Sequence, residues 1–311
     1  MKPYPYDPCG VIPAALMPFD RALEIDEPAY RRHLRELAGT DGVDALTVNG
    51  HASEVHALSV AEQRRSLEIA VDEVGGRVPL IAGISTTRTR EAAELARIAE
   101  AAGASALLVF PNEALALGGQ ARPECARAHV GAIAEVSGLP IVLFQYPLAG
   151  GLGYPLETLL ALCREFPTIR AIKDWCADPH LHERQLRELR ALDRPVKVLT
   201  THSMWLLPSL LMGCDGLLSG AGSVIAPLQV ALWRAVQAGD LAEARRVNER
   251  IFPAVRAFYA EPLLDMHNRM KEALVLLGRL EEAHVRPPLV KLPPEEIARI
   301  ACLLNEAGLK R

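Results

Sequence analysis

The sequence predicts an α/β chain: a (β/α)8 TIM barrel with a C-terminal helical extension. Three observations carry that expectation. Short apolar runs recur eight times along residues 1–226, helix-patterned stretches alternate with them, and from residue 227 to 311 only helical patterns occur. The 311 residues, half of them hydrophobic, suffice for a barrel of about 250 residues and an appendage.

The apolar runs fall at 11–16, 45–48, 79–84, 106–110, 141–145, 171–173, 196–200 and 216–219. Each is short, continuous and rich in Val, Ile, Leu and Ala, as a strand buried on both faces requires. Between them, 60–74 and 89–102 have helical periodicity. The second is alanine-rich, with Glu and Arg three and four apart. Gly103, Gly138 and Gly213 stand just past helix ends, where a left-handed cap favours glycine. No G-x-G-x-x-G follows the first strand, so a dinucleotide-binding open sheet has no support. In the extension, 230–252, 268–277 and 294–307 read as helices.

Composition excludes several classes of function. With 34 basic against 38 acidic residues the net charge is -4, so no basic footprint for nucleic acid exists. The six cysteines (Cys9, Cys125, Cys163, Cys176, Cys214, Cys302) have no paired spacing, so neither a zinc motif nor a disulfide framework is indicated. The N-terminal Met1-Lys2-Pro3-Tyr4-Pro5 lacks an apolar signal core, and no run is long enough to span a bilayer. A soluble, reducing, cytoplasmic setting is the expectation.

In such a barrel the chemistry belongs at the carboxyl ends of the strands. Four clusters fall there: Asn49-Gly50-His51-Ala52-Ser53-Glu54, Phe144-Gln145-Tyr146-Pro147, Lys173-Asp174 and Thr200-Thr201-His202-Ser203. Lys173 is the most informative. A lysine finishing a buried strand loses water around its ammonium, which disfavours the charged form. The resulting neutral amine can attack a ketone and form a Schiff base. Cys176, three residues on, reads as a buried small side chain. The polar stretch Asp265-Met266-His267-Asn268-Arg269-Met270-Lys271 has two readings, a cap over the barrel mouth and an ordinary helix start, and it is not expected to be catalytic.

Across nearly its whole length the chain resembles the dihydrodipicolinate synthase / N-acetylneuraminate lyase family of class I pyruvate-dependent aldolases. The resemblance rests on Gly10-Val11-Ile12-Pro13-Ala14, Leu58-Ser59-Val60-Ala61-Glu62-Gln63-Arg64, Val78-Pro79-Leu80-Ile81-Ala82-Gly83, Ala171-Ile172-Lys173-Asp174 and Val285-Arg286-Pro287-Pro288-Leu289 in that order. It implies Lys173 as the Schiff-base lysine, a 2-keto acid such as pyruvate as substrate, and a homo-oligomer, dimer or tetramer. No metal and no organic cofactor is expected, since the lysine supplies the electrophile.

Departures from the family pattern are as informative. After the second strand the family has Gly, Ser or Thr, Thr, Gly, Glu; here Gly50 and Glu54 stand, with His51, Ala52 and Ser53 between. The family tyrosine that relays protons is matched by Phe144, which has none to give. Tyr146, His51 and His202 are the candidates to replace it. Gly50, Ala52, Ser53, Phe144, His202 and Leu218 are expected to bind substrate. Ala149 occupies the place of the arginine that grips a second carboxylate, and Phe110-Pro111-Asn112 that of a tyrosine-containing turn. These losses favour a Schiff-base aldolase or dehydratase. A dihydrodipicolinate synthase with a rewired relay and a non-catalytic keto-acid binder are the alternatives.

Overall fold

The computed structural model describes residues 6–310. Eight parallel strands form one sheet: β1 (Gly10–Pro13), β2 (Leu46–Val48), β3 (Leu80–Ile84), β4 (Ala106–Val109), β5 (Ile141–Gln145), β6 (Ile169–Asp174), β7 (Lys197–Thr200) and β8 (Gly216–Ser219). Neighbours in sequence are neighbours in space, and β8 pairs back onto β1. The ring closes between β1 and β2. There the Asp44 N–H donates to the Val11 carbonyl and the Ala15 N–H to that of Thr47, both at 2.9 Å. Closure leaves no edge strand exposed.

The strand runs are buried almost throughout, which explains their unbroken apolar character. Inner side chains fill the barrel and outer ones pack beneath a ring of helices: α1 (Glu27–Ala38), α2 (Val60–Val74), α3 (Thr89–Ala102), α4 (Pro123–Ala134), α5 (Leu156–Glu165), α6 (Pro179–Arg190), α7 (Leu206–Leu211) and α8 (Gly222–Gln237). Local chemistry sets their ends. At the start of α2, Ser59 Oγ accepts from the Glu62 N–H at 3.2 Å while the Glu62 carboxylate accepts from the Ser59 N–H at 2.8 Å. Gly103 and Gly213 take the left-handed conformation, with φ of 95° and 99°. Gly138 does not: its N–H instead points at the Glu100 carboxylate, 3.3 Å away.

Beyond α8 lie α9 (Leu241–Phe258), α10 (Met266–Leu276) and α11 (Pro294–Glu306). The single helix expected over 230–252 is two helices. α8 ends at Gln237, the chain turns through Gly239 at φ 71°, and Asp240 starts α9 by accepting the Glu243 N–H at 2.9 Å. α8 packs against β1 and β8, and α9 lies across α8 and α11. No helix among the described residues is long and apolar enough to cross a membrane.

Candidate active site

Strand alternation decides which residues reach the barrel interior. Lys173 pairs in register with Phe144 on one side and Leu199 on the other, so these side chains share the inner face. Asp174, Gln145 and Thr200 form the next register row and point outward. At the carboxyl end a cavity of about 30 Å³ opens beside Lys173. Its walls are Ala14, His51, Ala52, Phe144, Trp175, Thr201 and Gly220, and Tyr259, Met266 and His267 cover it from the extension.

Lys173 is 4% exposed, and its ammonium nitrogen lies 4.0 Å from the centre of the Phe144 ring. A ring face favours a cation, but desolvation dominates and brings the lysine pKa down to about 7. About half of the amine is then neutral at pH 7. The Phe144 ring has no hydroxyl, so it bounds the cavity without moving protons.

His51 opens a single 3-10 turn, His51–Ser53, that follows β2. Inside that turn the Ser53 and Glu54 N–H groups donate to the carbonyls of Gly50 and His51 at 3.0 Å. Ser53 Oγ donates to the Ala15 carbonyl at 2.8 Å, tying the turn to the end of β1. Gly50 and Ser53 therefore shape the turn, while His51 and Ala52 face the cavity. The His51 ring meets His267 edge-on at 4.9 Å. Burial, reinforced by nearby Lys173, lowers His51 to about 3, and burial with the His51 neighbour lowers His267 as well. Both imidazoles are neutral at pH 7 and offer hydrogen bonds, not charge.

The remaining expected residues take other positions. Tyr146 stacks its ring 4.4 Å from Phe144 and 5.5 Å from Trp175, outside the group that lines the cavity. Leu218 pairs with Ile12, one layer beneath the lining residues Gly220 and Ala14. His202 faces away from the cavity, because alternation beyond β7 turns Thr201 inward and His202 outward. Its Nδ1 lies 3.1 Å from Thr200 Oγ1.

Tyr259 is the group that sequence reasoning missed. It ends α9, far from any strand, and brings a phenol to the cavity wall. Its oxygen accepts from Ser203 Oγ at 3.2 Å, and Ser203 is in turn 3.2 Å from Ser219 Oγ, which accepts from Gln229 at 3.0 Å. Burial raises the phenol pKa, partly offset by these hydroxyls, so the proton stays on the oxygen. Trp175 and Thr201 were also not foreseen as lining residues, and His267 belongs to the stretch expected only to cap the barrel mouth or to start a helix. The first two lie one position past an expected outward residue, and the period of two could have found them.

Comparison with known proteins agrees with this architecture. The chain matches the dihydrodipicolinate synthetase family over residues 7–307. It is 34% identical to the 4-hydroxy-tetrahydrodipicolinate synthase of Kineococcus radiotolerans, covering 98% of this chain and 95% of the relative. It is 33% identical to that of Methanopyrus kandleri, covering 96% of each. Among solved structures, a dihydrodipicolinate synthase superimposes with a TM-score of 0.85 at 30% identity, over 97% of this chain and 99% of the other. The prophage protein YagE of E. coli K12, solved in complex with pyruvate, does so with a TM-score of 0.89 at 26% identity, over 97% of this chain and 99% of its own. A closed barrel with a buried amine at the end of its sixth strand, matched over this full length, places the chain in the dihydrodipicolinate synthetase family.

Proposed function

We propose that the protein is a Schiff-base-forming lyase, working in the aldolase or dehydratase sense on pyruvate or a related 2-keto acid. The carrying observation is Lys173: an amine buried at the inner end of β6, brought to about 7 by burial, beside a small cavity. Its lone pair adds to the keto carbon, and the carbinolamine loses water to give an iminium. That cation draws the electrons of an adjacent bond and passes through an enamine as a C–C or C–O bond is made or broken.

Binding of the carboxylate is assigned to the turn after β2. Among the described residues, the His51 and Ala52 N–H groups have no protein acceptor, and a neutral His51 adds a further donor. Such fixed donors stabilise an anion without carrying charge themselves. Tyr259 is the best-supported proton carrier, since it lines the cavity, stays protonated and has a hydroxyl chain behind it. His51 shares the same wall. Tyr146 is the less supported candidate, as its ring packs on Phe144 from outside that wall.

The test is borohydride reduction in the presence of pyruvate, followed by mass spectrometry of the peptides. A pyruvate-sized adduct on Lys173, absent in Lys173→Ala, is expected; an unmodified Lys173 removes the mechanism. A second reading, 4-hydroxy-tetrahydrodipicolinate synthase with Tyr259 in the relay, is supported equally by the names of the relatives. Ala149 speaks against it, because it offers no fork for a second carboxylate. Efficient turnover of aspartate semialdehyde with pyruvate selects this second reading; pyruvate release from 2-keto-3-deoxy acids selects the first. A cytoplasmic homo-oligomer, dimer or tetramer, completes the proposal. Leu117, 95% exposed in the turn after β4, supports it as an apolar side chain uncovered in the single chain. Light scattering on the purified protein measures the state.

A further inference from the structure

On the outer side of β6, directly behind Lys173, four side chains of metal-ligating type converge. Asp174 ends the strand, Cys176 follows two residues later, His182 lies on α6 and His202 follows β7. All four are buried, the most exposed of them at 3%. One ligand atom from each lies within 4.8 Å of all the others. We propose that Asp174, Cys176, His182 and His202 form a structural site for a divalent cation of zinc type, built through Asp174 Oδ2, Cys176 Sγ, His182 Nδ1 and His202 Nε2.

The distances suit a tetrahedron. Bonds of about 2.0–2.3 Å to O, N and S set ligand atoms roughly 3.3–3.8 Å apart. Cys176 Sγ is 3.6 Å from Asp174 Oδ2 and 3.8 Å from His202 Nε2. The Asp174 Oδ2 to His182 Nδ1 edge is shorter, 2.5 Å, because a proton bridges it, and the remaining edges are within 4.8 Å. Side-chain rotation opens that edge by about 1 Å once a cation takes the proton's place.

The imidazoles are already held for the task by their other nitrogens. His182 Nε2 is 2.9 Å from Ser209 Oγ, and Ser209 gives its own proton to Thr200 Oγ1 at 2.6 Å. Ser209 therefore accepts from His182 Nε2–H, which leaves Nδ1 as the metal-facing atom. His202 Nε2 accepts the Ala177 N–H at 3.3 Å, so the ring proton sits on Nδ1 toward Thr200. Metal-bound histidines have this kind of outer partner on the second nitrogen. Three contacts are given up on binding: the Asp174–His182 proton bridge at 2.5 Å, and Ala177 N–H to His202 and Cys176 to the Asp178 carbonyl, each 3.3 Å.

Charge closes without a counter-ion. One divalent cation enters; Cys176 loses its thiol proton and His182 its Nδ1 proton, both to the buffer. Thiolate, carboxylate and two imidazoles are a donor set suited to zinc, and four protein ligands leave no position for water or substrate. The site would clamp the 175–178 segment onto the end of β7, fixing Trp175 and Thr201, two walls of the cavity. It does not depend on the reading of Lys173, because its ligands lie on the opposite side of the strand.

The experiment uses the full chain in a Cys125→Ser/Cys302→Ser background, which removes the two exposed thiols. The protein is stripped with chelator, reloaded with zinc or cobalt, and desalted. One zinc per chain is expected by elemental analysis, with a thiolate-to-cobalt charge-transfer band and tetrahedral visible bands in the cobalt form. Cys176→Ala abolishes the charge-transfer band, Cys214→Ala keeps it, and Ser209→Ala weakens zinc binding about 10- to 100-fold. His202→Gln, which leaves the thiol intact, reduces zinc to background and serves where Cys176→Ala does not fold. Zinc no higher in the parent than in His202→Gln overturns the proposal, as does a charge-transfer band that survives Cys176→Ala and disappears in Cys214→Ala.

Discussion

Tyr259 and Phe144 face the same cavity, and only one carries a proton. A general acid or base in a reaction of this class contributes roughly 100- to 10,000-fold. Tyr259→Phe removes one oxygen and leaves the ring packing, so kcat is expected to fall about 100-fold or more while the borohydride adduct on Lys173 still forms. Tyr146→Phe is expected to change kcat by less than about 5-fold, because its ring meets Phe144 from outside the cavity wall. Equal losses in both variants, measured at saturating substrate, would remove Tyr259 from the relay. Lys173 supplies a second prediction at this scale. Its pKa of about 7 means the attacking form grows as pH rises from 6 to 8 and then levels off. The initial rate of pyruvate trapping should follow a single titration near 7; a midpoint near that of a free lysine, about 10.4, would mean that burial does not activate it.

At the scale of elements, the extension is joined to the barrel by charges that neither could bury alone. Lys271 on α10 is paired with Glu54, the residue that ends the turn after β2; both side chains are essentially inaccessible. The Lys271 ammonium also donates to the His284 carbonyl at 2.8 Å and lies 4.4 Å from the Phe19 ring. Arg286 stacks on the same ring and reaches the Leu23 and Ala57 carbonyls at 2.8 Å. Removing one partner of a buried pair strands the other charge, which costs about 3–5 kcal/mol, whereas replacing both is far milder. Glu54→Gln or Lys271→Met alone should therefore lower stability by about that amount in urea, and the double variant should recover more than half of it. Additive losses would show that the pair is not coupled. The element scale is also where sequence reading reached its limit. Eight strands were legible because burial on both faces leaves unbroken apolar runs. The α8–α9 break was missed, although Gly239 followed by Asp240 is a stop and a start signal of the kind that marks the other helix ends. Lys173 could be found from one strand. Tyr259 and the Asp174–Cys176–His182–His202 cluster could not, because their members meet only when separate strands and helices close together.

Taken as one molecule, the barrel carries an amine that its own core disfavours, and the cost has a definite pH dependence. In the unfolded chain Lys173 titrates near its ordinary value of 10.5, and in the fold at about 7. Below pH 7 both states hold the proton and the fold bears the full penalty of a buried cation. Between 7 and 10.5 the unfolded chain binds more protons than the fold, so stability rises with pH; above 10.5 the penalty is gone. Each unit of displacement corresponds to about 1.4 kcal/mol. Lys173→Met, which keeps the stem and deletes the charge, should therefore be inactive yet more stable than the parent by on the order of 2–4 kcal/mol at pH 7. The gain should shrink to less than about 1 kcal/mol at pH 10, because the parent has by then shed the charge in its folded state. Urea denaturation of both proteins at the two pH values measures the difference, and other titrating groups cancel between them. A variant no more stable than the parent at pH 7, or a gain that does not diminish toward pH 10, would mean that the ammonium is solvated in the fold and that the barrel does not store the free energy that makes the lysine a nucleophile.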